Sequence, residues 1–76
     1  MIVRSEKDKY YLKGFGENLK RIRTLKGLTQ QNLADILEVE ISQVSRLERG
    51  VLNTSIIHVK NIATALNIEI ADLFNF

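Results

Sequence analysis

The sequence predicts an all-helical fold built around one small hydrophobic core. Its 76 residues include no proline, only four glycines and many strong helix formers, which favours long helices joined by short connections. Apolar residues recur at helical spacing in five segments that glycines or capping residues separate. No apolar run exceeds three residues, so we expect neither a membrane span nor a secretory leader. The absence of cysteine excludes disulfides and thiolate metal sites, and it suits a reducing, cytoplasmic location.

Capping residues and glycines bound the five predicted helices. The first has its inward residues at helical spacing, namely Phe15, Leu19, Ile22 and Leu25, and ends at Lys26 before Gly27. The second starts after the cap Thr29 and reaches about Leu37. The other three are predicted over Ile41 to Arg49 before Gly50, from the cap Thr54 or Ser55 to about Leu66, and near Ile70 to Phe74.

The residues before the first helix allow two interpretations. Either Ser5 caps a helical extension of the first helix, or residues 1–13 form a flexible basic arm. Gly14 and Gly16 weaken helix continuity, which leaves the arm as plausible as the extension. Residues 14–76 form the main domain in both cases.

Charge is distributed unevenly along the chain. Eight basic and three acidic residues lie between Arg4 and Lys26, although the net charge of the whole chain is only +2. A basic half can attract a polyanion such as nucleic acid or a membrane surface, but a charge run is more often a solvated face. Charge alone therefore leaves the partner open.

The third predicted helix presents a polar face. At about 100° per residue, with Val44 pointing inward, Leu47 faces the core while Arg46 and Arg49 point nearly opposite. Ser42 shares that outer face, which also has Gln43 and Ser45 at its sides. Such side chains match base edges and phosphates, and a helix fits the DNA major groove. A solvated helix face explains the same polarity.

Residues 28–50, LTQQNLADILEVEISQVSRLERG, resemble the helix-turn-helix of phage-repressor and Cro-like (XRE-type) transcriptional regulators. The likeness extends over Phe15 to Phe74 and includes Arg23, Gly27, Leu28, Thr29, Gln30, Leu33, Ala34, Val39, Val44, Ser45, Arg46, Glu48 and Gly50. This resemblance implies a five-helix, lambda-repressor-like domain that binds double-stranded operator DNA as a homodimer and regulates transcription. The family includes phage repressors and the controller proteins of restriction-modification operons.

The resemblance also implies roles for individual side chains. The expected base-reading residues are Ser42, Gln43, Arg46 and Ile41, and Arg46 is the strongest because arginine pairs bidentately with guanine. The expected phosphate-binding residues are Thr29, Gln30, Arg49, Asn53 and Thr54. Arg23 and Glu48 are expected to form a structural ion pair. Ile41 either contacts a thymine methyl group or is partly buried.

Apolar residues crowd the C-terminal end of the chain, and we expect Ile70, Leu73, Phe74 and Phe76 to form the dimer interface. The alternative is that these residues only complete the intramolecular core.

Two acidic residues depart from the family pattern in the turn between the second and third helices. Glu38 stands where the family usually has glycine, so a left-handed conformation there costs about 1 kcal/mol or more. Glu40 stands where serine or threonine usually caps the third helix. Both carboxylates would repel DNA phosphates.

Other classes of function fit less well. We expect no enzyme, no metal, no cofactor and no small-molecule substrate, since His58 is the only histidine and no glycine-rich phosphate loop is present. The competing hypothesis is an antitoxin-like protein-binding module on a helix-turn-helix scaffold with weak or no DNA readout. The low net charge, Glu38 and Glu40 favour that alternative.

Overall fold

The computed structural model describes residues 5–76, and residues 1–4 of the predicted arm or extension lie outside them. The described chain is all-helical. Its five α-helices are α1 (Glu6–Leu25), α2 (Gln30–Leu37), α3 (Ile41–Arg49), α4 (Ile56–Leu66) and α5 (Ile70–Leu73). Helix α1 packs against α3 and α5, and α2 packs against α3 and α4. The prediction of an all-helical, five-helix fold is confirmed.

Helix α1 begins at Glu6, nine residues before Phe15, the first inward residue of the predicted helix. Ser5 is its N-cap and accepts a hydrogen bond from the backbone N–H of Asp8 at 3.1 Å. The helix continues without a break through Gly14 and Gly16. A Cβ atom on Gly16 would lie 2.5 Å from the carbonyl oxygen of Glu48 in α3. The glycine is therefore required by close contact between two helices, and it does not mark a helix end.

The other helix ends follow local capping chemistry. Thr29 accepts a hydrogen bond from the backbone N–H of Asn32 and forms a capping box at the start of α2. Ser55, the second of the two predicted candidates, caps α4. Gly27 and Gly50, after α1 and α3, both have positive φ, at 76° and 75°. This left-handed conformation carries no Cβ penalty for glycine.

The hydrophobic core lies where the helices meet. Its buried apolar residues are Phe15, Leu19, Ile22, Leu33, Ala34, Val44, Leu47, Ile62, Ala63, Leu66 and Leu73. Leu25 is an exception to the predicted pattern, because 74% of it is exposed. It lies in the last turn of α1.

The short helix α5 is attached to α1 through a buried amide. The side-chain Nδ2 of Asn18 donates hydrogen bonds to the carbonyl oxygens of Asp72 and Leu73, both at 2.9 Å. Its Oδ1 accepts from the guanidinium of Arg21 at 2.8 Å. The carbonyl group of Leu73 is one of those that the end of a helix leaves free, whereas that of Asp72 also accepts from the backbone N–H of Asn75 at 3.4 Å. Among residues 5–76, none of the helices combines the length and apolarity that crossing a bilayer requires.

Candidate nucleic-acid interface

The turn between α2 and α3 keeps the geometry of a helix-turn-helix despite its acidic residue. Glu38 has φ 58° and ψ 44°, which is the left-handed conformation. The next residue, Val39, donates its backbone N–H to the carbonyl oxygen of Ala34 at 3.0 Å. Ala34 is fully buried, as expected for a small residue where two helices touch. The expected strain at Glu38 is therefore present, since this residue has a Cβ.

Helix α3 has one buried side and one exposed side. Val44, Leu47 and Glu48 are buried against the other helices, while Arg46 and Ser42 are exposed. We call Ser42, Gln43, Arg46 and Arg49 the outer face of α3. Three of these side chains are exposed and Gln43 is half-buried. Ile41, at the start of the helix, is 41% exposed, so it is only partly buried.

A buried ion pair holds the inner side of α3 against α1. The guanidinium of Arg23 donates from Nε to Oε2 of Glu48 at 2.6 Å and from Nη2 to Oε1 at 3.1 Å. Its Nη1 donates to the carbonyl oxygen of Leu28 at 2.7 Å. Gln30, at the start of α2, donates from Nε2 to Oε1 of the same carboxylate at 2.9 Å. The expected pair is thus present, and it links α1, α2 and α3.

The predicted phosphate-binding side chains lie at three helix ends. Thr29 and Gln30 lie at the start of α2, where Gln30 is already bonded to the buried carboxylate. Arg49 is exposed in the last turn of α3, with Nε 3.4 Å from the hydroxyl oxygen of Ser45. Asn53 and Thr54 lie before α4. Asn53 is exposed, and the hydroxyl group of Thr54 is 2.8 Å from Nδ1 of His58.

The acidic residues of the turn remain at the surface. Glu38 and Glu40 are both exposed. Glu40 occupies the N-cap position of α3, and its side chain makes no capping hydrogen bond. The two carboxylates therefore add negative charge beside the start of the outer face of α3, where they oppose phosphate binding.

One residue of the predicted dimer interface is not available to a partner. Leu73 is 0% exposed, because it lies in the core beneath α1, so its assignment to an interface is wrong. Ile70, Phe74 and Phe76 are 43%, 40% and 54% exposed. The ring of Phe74 also packs on Phe15, with 5.2 Å between ring centroids. Phe76 packs on Tyr11 at the same centroid distance of 5.2 Å. Phe74 and Phe76 thus divide their surface between intramolecular contact and solvent.

Two lysines that the sequence did not assign to the interface lie beside it. Lys9 and Lys13, in the first half of α1, line the same open depression as Arg49 and Asn53. Their spacing of four residues and the basic excess of this segment were the available signals. Neither signal shows what α1 packs against, so the position of the two lysines beside α3 could not be inferred.

The fold and this surface define a class of protein. A helix whose inner side is fixed by two neighbouring helices, and whose outer face carries arginine, serine and glutamine, has the arrangement of the recognition helix in helix-turn-helix transcriptional regulators. Residues 19–73 match the helix-turn-helix family HTH_3, and the chain belongs to this family. The resemblance to XRE-type regulators is confirmed.

Relatives of the chain are control proteins and gene regulators. It is 32% identical over 63 residues to control protein C.BamHI of Bacillus amyloliquefaciens, a match that covers 82% of this chain and 78% of that protein. It is 31% identical over 62 residues to control protein C.MunI of a Mycoplasma species, covering 80% and 84%.

Solved structures of regulatory proteins are also similar to this chain. The restriction-modification controller protein C.AhdI of Aeromonas hydrophila matches with a TM-score of 0.80 and 43% identity, over 83% of this chain and 96% of that one. The clp gene regulator ClgR of C. glutamicum matches with a TM-score of 0.82 and 30% identity, over 84% and 82%. These relatives are regulatory proteins.

Proposed function

We propose that this protein regulates transcription in the cytoplasm by inserting α3 into the major groove of a specific operator. The observation that carries the proposal is the outer face of α3, which is exposed along its length while the opposite side is buried. Its donors and acceptors are the groups that read base edges. The names of the relatives extend the proposal to the control of a restriction-modification operon.

The proposed roles follow from the position of each side chain. Arg46 lies mid-helix on the outer face and pairs with O6 and N7 of a guanine. Ser42, Gln43 and Ile41 lie nearer the start of α3 and contact neighbouring base pairs. The groups at the three helix ends, namely Thr29, Gln30, Arg49, Asn53 and Thr54, bind backbone phosphates and set the register.

We further propose that the protein binds as a homodimer. Ile70, Phe74 and Phe76 each keep an exposed apolar part near the C-terminal end of the chain, and these parts are the proposed contact surface. A two-fold dimer places its two α3 helices about 34 Å apart, one turn of DNA, and requires a near-palindromic operator. Dimerisation also doubles the number of phosphate contacts, which compensates for a net charge of only +2.

The test of base reading begins with selection of bound sites from a random duplex pool. On the selected site, Arg46→Ala is expected to weaken binding by about 5- to 150-fold for each half-site, measured by fluorescence anisotropy, because a bidentate arginine contributes about 1–3 kcal/mol of discrimination. Arg49→Ala is the matched control for a phosphate contact. It should weaken binding equally on selected and scrambled sites.

Two results would count against operator reading. The base-reading role fails if the Arg46 variant binds the selected site as tightly as the wild type. The proposed function as a whole fails if no site is enriched and binding does not weaken with salt, since neutralising phosphates releases counterions. That second outcome would favour the protein-binding alternative.

The dimer has its own test. Ile70→Lys adds a charge to the exposed apolar surface and is expected to give a monomer by sedimentation and weaker binding to a palindromic site. Leu25→Lys changes an equally apolar, exposed residue in the last turn of α1 and should leave association unchanged. A wild-type protein that remains monomeric at high micromolar concentration, with and without DNA, excludes the homodimer.

A further inference from the structure

An open depression of about 460 Å³ lies between the first half of α1 and the end of α3. Three cations line it: Lys9 and Lys13 from α1 and Arg49 from α3. We call these three residues the cationic edge. Asn53, from the segment before α4, lines the same depression. The cationic edge therefore includes one residue proposed to bind phosphates, Arg49, and adjoins a second, Asn53.

Backbone contact fixes α1 against the end of α3. A Cβ atom on Gly50, which follows α3, would lie 2.5 Å from Cα and 2.7 Å from N of Lys13. Farther along α1, Gly16 makes the similar contact with the carbonyl oxygen of Glu48. Packing this close leaves no room for the two helices to slide, so the lysines keep a fixed position relative to Arg49.

The charges of the cationic edge are available to a ligand. Lys9 and Lys13 are exposed and lie one turn apart on the same side of α1. Nζ of Lys9 lies 3.7 Å from Oε1 of Glu6, but the two side chains are 63% and 81% exposed. Such an exposed ion pair contributes little to stability. No acidic residue lines the depression within residues 5–76. Like charges brought together in this way raise the local positive potential and attract a polyanion.

We propose that the cationic edge binds backbone phosphates of duplex DNA beside the bases that α3 reads. The first turns of α1 thus extend the contacted site beyond the helix-turn-helix. This inference rests on the proposed operator binding. It adds Lys9 and Lys13 to the phosphate-binding residues, and it gives the helical extension of α1 a role in affinity.

The salt dependence of binding separates this role from a structural one. The affinity falls as salt rises, and each lost phosphate contact makes the slope of log K against log salt concentration shallower by about 0.9. Lys9→Gln/Lys13→Gln removes two contacts from each protomer, or four from the dimer. Its drop in affinity on the selected site between 50 and 200 mM salt is therefore expected to be about 150-fold smaller than for wild type. Preference for the selected over a scrambled site should not change, because phosphates carry no direct sequence information. Hydroxyl-radical footprinting should lose protection at one flank of each half-site.

Two control variants complete the experiment. Lys7→Gln removes an equal charge about 160° around α1 from Lys9 and should keep the wild-type slope. Lys9→Arg/Lys13→Arg should restore both slope and footprint. All variants should unfold at the wild-type urea midpoint, since the altered side chains are exposed.

The possible outcomes distinguish this inference from the proposed function. The inference is overturned if the double glutamine variant keeps the slope and footprint of the wild type while Arg46→Ala still weakens binding. It is also overturned if Lys7→Gln lowers the slope as much as either Lys9→Gln or Lys13→Gln alone, because general charge would then explain the effect. Wild-type protein that binds no duplex overturns operator binding and this inference together.

Discussion

Removal of one partner from the buried pair of Arg23 and Glu48 is expected to cost a large part of the stability of this small domain. The side chains are 10% and 3% exposed, and the carboxylate accepts two hydrogen bonds from the guanidinium and one from Gln30. Replacing either partner leaves the other charge buried, at a cost of about 3–5 kcal/mol. The whole domain has about 4–11 kcal/mol of stability at typical values per residue. Glu48→Leu or Arg23→Met should each remove a large fraction of it.

The double variant Arg23→Met/Glu48→Leu should be more stable than either single variant. It removes both charges and replaces them with apolar side chains of similar size, so no ion remains buried alone. The remaining cost of the double variant comes from the carbonyl oxygen of Leu28, which loses its guanidinium donor at about 1–3 kcal/mol. Gln30 is half-buried and can turn its amide to water. The two single costs sum to about 6–10 kcal/mol, so a coupling energy of about 3 kcal/mol or more is expected.

Urea unfolding followed by circular dichroism measures the stability of the wild type, the two single variants and the double variant, which together form a double-mutant cycle. With a slope near 1 kcal/mol per molar urea, as in small proteins, a loss of 3 kcal/mol lowers the midpoint by about 3 M. A double variant whose loss equals the sum of the single losses would refute the reasoning, because the two side chains would then stabilise the fold independently. Single variants that cost less than about 1 kcal/mol would refute the burial argument itself.

Two further predictions concern backbone positions. Glu38→Gly relieves a left-handed conformation and should stabilise the domain by about 1 kcal/mol, raising Tm by about 4–8 °C; Asn67→Gly, at φ 57°, should change Tm much less, because asparagine tolerates this conformation. Equal shifts for the two would contradict a Cβ-specific strain. Gly16→Ala should destabilise by about 1–3 kcal/mol, because its Cβ meets backbone carbonyl groups of α3. Gly14→Ala meets only the ring of the last residue and should be neutral or stabilising in the same urea assay.

The helices after the first were predictable because their ends are set by local chemistry. Thr29 and Gly50 act within one turn of themselves, so their sequence neighbours are sufficient to place the ends of α2 and α3. The start of α1 was not predictable in this way. Gly14 and Gly16 have the propensity of helix breaks, yet Gly16 lies against a backbone more than 30 residues away in sequence. Helical periodicity carries no information about such a contact.

In the candidate site, too, features set by one helix could be predicted, and features set by contacts between helices could not. Which side of α3 is buried follows from the spacing of Val44 and Leu47, so the exposed residues could be inferred from one helix alone. The cationic edge could not, since it depends on how α1 lies across the end of α3. Leu73 is a residue whose burial could not be predicted. The spacing of residues in a four-residue helix does not distinguish a side chain that completes the core from one that meets a partner.

Three separate contacts determine the orientation of α3, and all of them lie on its inner side. Gly16 brings the backbone of α1 against it, the Arg23–Glu48 pair joins it to α1 and α2, and Val44 lies in the core. Stability is therefore concentrated on the side of α3 that does not face solvent. Because exposed substitutions usually change stability by less than about 0.5 kcal/mol, residues such as Ser42 and Arg46 can be replaced at little cost to the fold. Under the proposed operator binding, this separation lets the same scaffold present different base-reading side chains without loss of stability.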